Sequence, residues 1–418
     1  MQFFFIRTIH FATTSVHLAN FLVTLHTNPR TQDSELKTPM AGIYLHIPFC
    51  QRRCVYCNFF SSTEAKMKET YVDTLCKELE MRKTYIGNEA INTIYLGGGT
   101  PSQLTLPQLE RIFLYIYKVY EIAPNAEITL EANPDDLTEA YVKGLRTSLP
   151  INRISMGVQT FNDQRLSLLN RRHTACQAME AINRCRAHGF HNLSIDLIYG
   201  LPGQDLAAWE WELDQAIALH VPHLSAYHLT YEEGTPLWRM KEQGLVSEVD
   251  EEVSASMYTM LVEKLTAAGY QHYEISNFCL PGMESRHNSS YWQGIPYLGC
   301  GAAAHSYDGH SRQWNIASIP QYIQGIHVGS PFVEREELDL QTRYNDYLVT
   351  TLRTRWGASL NHVDSAFGNR FHNYLLRMSR PHLQRHHLEI EGDTLRLTEK
   401  GIFLSDGIIS DLLWVEET

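Results

Sequence analysis

The sequence predicts an α/β fold, six βα units curled into a partial (β/α)6, TIM-like barrel and followed by a C-terminal α+β, winged-helix-like region. Three observations carry this expectation. From Gly42 to about residue 235, short β-branched or apolar runs that end in Gly, Pro or polar residues alternate with amphipathic segments of helix length. The chemically unusual residues fall at the ends of those runs, where a βα barrel keeps its chemistry. Beyond residue 235 the alternation stops and a different unit begins near 335.

Strand one, GIYLHI (42–47), leads into CQRRCVYCNFF, and strand two, NTIYLG (92–97), leads into GGGTP. Strand three, EITLEA (127–132), carries Glu131 near its end. Strand four, INRISMG (151–157), precedes Gln159. Strand five, LSIDLIYG (193–200), holds Asp196, and strand six, HLSAYHL (223–229), closes on Tyr227 and His228. The first intervening helix, TEAKMKETYVDTLCKELEMRK, has Ser61, Ser62 and Thr63 as candidate caps and sets Met67, Tyr71, Leu75 and Leu79 at i, i+4 spacing. LPQLERIFLYIYKVY and DLAAWEWELDQAIAL follow the same pattern. Right-handed crossovers then bring all six strand ends to one mouth.

Composition limits the function classes. A length of 418 residues with 44% hydrophobic content is ample for a large core and two or three domains. A formal net charge of −12, with acidic runs such as EVDEE (248–252) and EREEL (334–338), argues against a nucleic-acid partner. Eight cysteines, three clustered and five scattered at 76, 176, 185, 279 and 300, do not form a disulfide framework, so a reducing cytoplasm is expected, with transient membrane contact left open. Residues 1–39 are apolar but interrupted by His, Asn and Thr, with no A-x-A-like cleavage site and no apolar run long enough to span a bilayer. The favoured expectation is a mis-assigned start with Met40 opening the product; a cleaved targeting segment is the alternative.

Cys50, Cys54 and Cys57 follow C-x-x-x-C-x-x-C with no fourth cysteine nearby. Structural zinc asks for four ligands, and a redox C-x-x-C pair would leave Cys50 idle. An iron-sulfur cubane uses all three thiolates and leaves one iron open to an exogenous ligand. The GGGTP turn (97–101) lets backbone approach a ligand closely, or is only a tight βα connection. Glu131 and Asp196 are suited to accept hydrogen bonds from hydroxyl or amino groups, or to serve as helix caps.

The succession YLHIPFCQRRCVYCNF, GGGTPS, LEANP, SMGVQTF, LNRRH and IDLIYGLPGQ resembles the radical S-adenosylmethionine (SAM) superfamily, in the branch of oxygen-independent coproporphyrinogen III oxidase and its HemW-like heme-chaperone relatives. The likeness runs from Met40 to the C-terminus. It implies a 4Fe-4S cluster on Cys50, Cys54 and Cys57, whose free iron is chelated by SAM. It further implies that Tyr44, Gly98 and Glu131 hold SAM, and that Tyr56, Gly99, Thr100, Gln159, Arg171 and Asp196 match SAM-binding positions of the oxidase, partly at a second molecule.

Two functions fit that resemblance. One is radical decarboxylation of coproporphyrinogen III to protoporphyrinogen IX; the other is a chaperone that receives heme as cargo and delivers it to an acceptor such as a respiratory hemoprotein. The oxidase pattern carries an extra cysteine where this chain has Phe59, as the chaperone branch does. SRHNSSYWQG (285–294) also resembles the H-N-x-x-Y-W heme motif of that branch. His287 is suited to ligate iron, Tyr291 and Trp292 to stack on a porphyrin, and Asn288 to orient the ligand. The chaperone is therefore the expected function, with a homodimer left open.

The domain expectation is an extension (1–39), a barrel (40–235), a lid and connecting region (236–334), whose Gly-, Pro- and aromatic-rich stretch 270–320 should fold over the mouth, and a C-terminal domain (335–418). In the last, NDYLVTTLRTRW (345–356) reads as helix, LEIEGDTLRLT as a hairpin turning at Gly392 and Asp393, and Ile402, Leu404, Ile408, Ile409 and Leu412 as one helical stripe. Its acidity argues for a cover or a docking surface rather than DNA binding.

Overall fold

The computed structural model describes residues 40–415 other than 88 and 332, so the expectation for residues 1–39 lies outside the described residues. Six strands run parallel and adjacent in chain order: β1 (Met40–Ile47), β2 (Ala90–Gly98), β3 (Ile122–Ala132), β4 (Arg153–Gln159), β5 (Asn192–Tyr199) and β6 (His223–His228). Between them lie α1 (Lys68–Met81), α2 (Leu106–Val119), α3 (Glu139–Ser148), α4 (Asp163–Leu168), α5 (Ala175–Ala187) and α6 (Leu206–Ala218). Thr105 with Gln108 and Thr174 with Gln177 form capping boxes that satisfy the first amides of α2 and α5.

The expected caps of α1 do other work. A 3-10 turn at Ala65–Met67 comes first, and Met67 precedes α1 without a side-chain cap. Ser62 instead bonds back to the start of the cysteine loop, its amide donating to Pro48 O (2.6 Å) and its carbonyl accepting from the Cys50 amide (2.9 Å). Tyr71, Leu75 and Leu79 of α1 are fully buried, as their spacing requires.

Period-two alternation splits each strand between two environments. Ile43, Leu45 and Ile47 of β1, Ile94 and Leu96 of β2, Ile128 and Leu130 of β3 and Ile154 of β4 are all within 2% of full burial in one apolar core with the helices. The intervening residues face the concave side, where one cavity is lined both by Tyr44 of β1 and by Tyr227 of β6, so the parallel row must curl.

The barrel stays open. The sheet has twelve strands in linear order, β6 being bordered by β8 (Asn277–Cys279) and β7 (Gln271–Glu274), and β1 by β9 (Tyr297–Cys300), β10 (His305–Tyr307), β11 (Ser311–Asn315) and β12 (Val333–Glu337). The segment 236–334, expected as a lid and connecting region, supplies strands to both sheet edges, because a partial barrel leaves two rows of backbone groups that need partners. Its strands are short, and β8 and β10 have only three residues each, too few to show alternation in sequence. Also in this region are α7 (Pro236–Glu242), α8 (Glu251–Ala267), α9 (Arg286–Trp292) and α10 (Ile319–His327).

A second core gathers Tyr344, Leu348, Leu375, Leu395 and Leu412 from α11 (Leu340–Thr351), α12 (Leu360–Phe367), α13 (Asn369–Gln384), a three-stranded sheet and the final helices. That sheet orders β13 (Ala358–Ser359), β15 (Thr394–Leu397) and β14 (Leu388–Glu391), with Glu391 paired to Thr394 so that Gly392 and Asp393 form the hairpin turn. The single helical stripe expected beyond it is broken into α14 (Glu399–Ile402) and α15 (Ser405–Leu412), and Leu404 is 49% exposed. Phe403, outside the expected stripe, meets the ring of Tyr258 on α8 at 5.1 Å. Among the described residues no helix is long and apolar enough to cross a membrane.

Candidate cofactor site

The carboxyl ends of the parallel strands surround a cavity of about 490 Å³, a size usual for cofactor sites. It is lined by Tyr44, the three clustered cysteines, Tyr56, Gly98, Gly99, Thr100, Glu131, Gln159, Arg171 and Asp196, so all the residues expected for cluster and SAM border one space. Tyr227 and His228 line it as well.

The cysteine loop is pinned from several sides. Besides its bonds to Ser62, the Val55 amide donates to Leu169 O (3.3 Å), the Val55 carbonyl accepts from the Leu237 amide (2.9 Å), and Asn170 Nδ2 donates to Arg53 O (2.7 Å). Thr100 Oγ1 donates to Cys50 Sγ (3.4 Å) and Arg171 Nη1 to Cys54 Sγ (3.2 Å). All three cysteines are free and half-buried. Burial raises the Cys50 thiol above its ordinary value and pushes Cys57 up to about 12. Among the described residues no three His, Cys, Asp or Glu side chains close on a point at single-ion distance. A cubane asks for less, because each thiolate meets a different iron.

Gly98 has φ +103°, and a Cβ there would stand 2.5 Å from the His46 ring; one on Gly99 would stand 2.7 Å from the Pro48 carbonyl carbon. Their absent side chains let the turn lie against β1, but their amides are not all turned to the cavity. Gly98 N donates to Glu131 Oε2 (3.2 Å) and Gly99 N to Ile47 O (2.9 Å). Glu131 also accepts from the Tyr95 hydroxyl (2.7 Å), yet burial, with the nearby Asp196 adding to it, pushes its carboxyl up to about 7. Asp196 is pushed up to about 6 by burial, and its Oδ1 is buried without a hydrogen-bond partner among the described residues. That orphaned oxygen at the cavity wall fits a hydroxyl or ammonium donor supplied by a ligand.

Arg171, expected at a SAM-binding position, spends its terminal nitrogens within the protein. Nη2 donates to Asn133 Oδ1 (2.6 Å) and Gly157 O (2.7 Å), and Nη1 goes to Cys54. Gln159 sits at a register shift between β4 and β5 with φ 71°, a left-handed conformation unusual for a non-glycine residue. That backbone turn sends its side chain to the cavity.

Three contributors escaped sequence reasoning: His46, Tyr95 and Asn133. His46 Nε2 meets Phe60 O (3.0 Å), so Nδ1 is left to accept from the Tyr44 hydroxyl (3.1 Å). Its burial lowers the imidazole to about 4 and keeps it neutral. The signal available was parity: His46 is two residues from Tyr44, and Tyr95 two from Gly97, on the concave face.

The H-N-x-x-Y-W stretch is α9, a seven-residue helix inside the curled sheet. Glu127 accepts from the amides of Arg286 (3.0 Å) and His287 (2.8 Å), anchoring its start. His287, Asn288 and Tyr291 reach the cavity wall; Trp292 turns away into a cluster with Tyr273 and Cys279. The His287 ring is 1% exposed, stacks on Tyr95 at 5.0 Å, and sets Nδ1 2.7 Å from Thr93 Oγ1.

A model of the radical SAM superfamily matches residues 44–215, and one of the HemN C-terminal domain matches residues 338–404. The chain is 33% identical over 371 residues to a heme chaperone HemW of Lactococcus lactis, covering 88% of this chain and 96% of that protein. It is 35% identical over 332 residues to a heme chaperone HemW of Bacillus subtilis, covering 79% and 87%. Coproporphyrinogen III oxidase (HemN) from Escherichia coli, a radical SAM enzyme, shares the fold with a TM-score of 0.78 at 22% identity, over 90% of each chain.

Proposed function

The chain belongs to the radical SAM superfamily and, within it, to the family of the heme chaperones HemW, and on that premise we propose that it binds heme as cargo and delivers it to acceptor hemoproteins. In this reading Cys50, Cys54 and Cys57 hold a 4Fe-4S cluster. When bound, such a cluster supplies one iron with an open coordination position. Glu131 and Asp196 receive the amino and hydroxyl groups of SAM, Tyr44 is oriented for the same molecule by His46, and Gly98, Gly99 and Thr100 give it room. Arg171 steadies Cys54 with a positive charge and ties the cysteine loop to Asn133. Tyr56 and Phe59 on the cysteine loop line the same cavity and keep water from the cluster.

The observation that carries the reading is a single cavity bordered both by the three cysteines and by the His287, Asn288 and Tyr291 side of α9. Phe59, standing where the oxidase pattern has a further cysteine, favours the chaperone over the oxidase. His287, stacked on Tyr95 and hydrogen-bonded to Thr93, steadies the α9 side of that cavity. The C-terminal region, with its own core, is suited to meet an acceptor.

The test is anaerobic reconstitution of the full chain, followed by heme titration with visible absorption, transfer to an apo-hemoprotein, and an assay for protoporphyrinogen formation. Heme uptake and transfer without turnover is the expected result. Robust turnover of coproporphyrinogen with no heme uptake reverses the assignment.

A further inference from the structure

On the far side of Tyr44 the sheet carries a row of side chains that the SAM and cluster positions leave unused. Tyr44 pairs with Gly299 and His305 with Trp314, while Trp314 pairs with Glu334; Gly299 lies against His305, where an added Cβ would stand 1.8 Å from the His305 carbonyl oxygen. Tyr44, His305 and Trp314 therefore share one line across the concave face, with a gap at Gly299 where no side chain projects. Tyr297 and Tyr307 form the line beneath, paired across β9 and β10 with rings 6.4 Å apart.

His305 differs from His287 in the property that ligation needs. Its side chain is exposed on the cavity wall, and its ring stacks on Trp314 at 5.7 Å with an interplanar angle of 25°. A planar macrocycle carrying iron at its centre needs an imidazole that projects from a surface broad enough to take the plane. The His287 ring, face against Tyr95 and 1% exposed, reaches no such plane without repacking α9. The wall behind His305 is braced: Arg82 donates to Gly299 O (2.9 Å) and to Ser306 Oγ (3.0 Å), and Trp314 Nε1 donates to Glu334 Oε2 (3.1 Å).

Resting on the heme-binding reading above, we propose that His305 is the axial ligand of heme iron, with the porphyrin plane crossing the edges of the stacked His305 and Trp314 rings rather than lying against their faces. A porphyrin there stands beside the SAM positions across Tyr44 and leaves the cysteine side of the cavity to the cluster.

The cluster-loaded full chain is titrated anaerobically with ferric heme, comparing wild type, His305→Ala, His305→Met and, as a control on the neighbouring β10–β11 turn, His310→Ala. His305→Ala should weaken heme binding tenfold or more and lose the histidine-type absorption and electron paramagnetic resonance spectrum. Free imidazole should restore that spectrum, and His305→Met should shift it, while cluster absorption stays constant in all four proteins. A His305→Ala protein with the wild-type heme spectrum and affinity overturns the assignment while leaving heme binding itself intact. Wild type that takes up no heme overturns the chaperone reading instead.

Discussion

Glu131→Gln should remove most of the pH dependence of SAM binding. Burial pushes the Glu131 carboxyl up to about 7 from an ordinary 4.5, so below neutrality the unliganded protein holds it protonated. Moving the carboxyl from 4.5 to about 7 corresponds to roughly 3 kcal/mol between the two protonation states. A ligand ammonium prefers the ionised carboxylate, so affinity should fall about tenfold for each pH unit below about 7 and level off above it. The same shift acts on the unliganded fold with a fixed sign. A raised carboxylate contributes stability that is fully present below its unfolded value near 4.5 and is lost as pH rises through about 7. The assay is calorimetric titration of cluster-loaded protein with SAM between about pH 5.5 and 8.5, with thermal unfolding of the unliganded protein alongside. Glu131→Gln should bind about tenfold to a hundredfold more weakly at the alkaline end, retaining only the shallower dependence that Asp196 imposes near pH 6. Wild-type affinity that is flat across this range, or a Glu131→Gln protein with the full slope, refutes the reasoning.

Gly98→Ala should lose SAM affinity at least tenfold while the cluster still assembles. It places a Cβ 2.5 Å from the His46 ring at φ +103°, where the backbone strain alone costs about 1–2 kcal/mol; equilibrium titration checks it. Replacing Cys50, Cys54 or Cys57 singly by Ser should abolish cluster absorption and leave the thermal midpoint of the unreconstituted chain nearly unchanged, since their thiols are half-buried and carry little packing. Glu78→Ala should destabilise by about 3–5 kcal/mol, read as a lower thermal midpoint. The fully buried carboxylate accepts from Gly301 N, Tyr322 Oη, Asn315 Nδ2 and Arg82, joining α1 to the edge of the sheet that carries His305.

Elements governed by local rules were legible in the sequence. The six parallel strands appear where β-branched runs end in Gly or polar residues, and the residues at their ends border one cavity, because strand direction forces all carboxyl ends to the same side. What escaped depends on long-range pairing. β3 starts at Ile122 rather than residue 127, since Ile122 pairs with Ile91 of β2 and a register shift separates that pair from Thr93 with Glu127. β9 and β10 are too short to show alternation, and only the open edge of β1 makes them strands. The family resemblance identified the H-N-x-x-Y-W stretch but not its burial. A helix turned through the concave face sends His287 and Trp292 to different neighbours, which linear order does not reveal. Arg153 was passed over as an ordinary strand residue. It is 1% exposed, with Nε and Nη1 lacking hydrogen-bond partners among the described residues, and it sets a positive charge beneath Glu131 and Asp196.

The account turns on whether three sulfurs hold a cluster with one iron left for SAM. Iron and sulfide analysis of the anaerobically reconstituted chain, with electron paramagnetic resonance of the reduced form before and after SAM is added, tests this most directly. About four irons per chain and a signal that changes when SAM binds is the predicted result. Zinc or no metal at the three cysteines, or an iron signal indifferent to SAM, contradicts it.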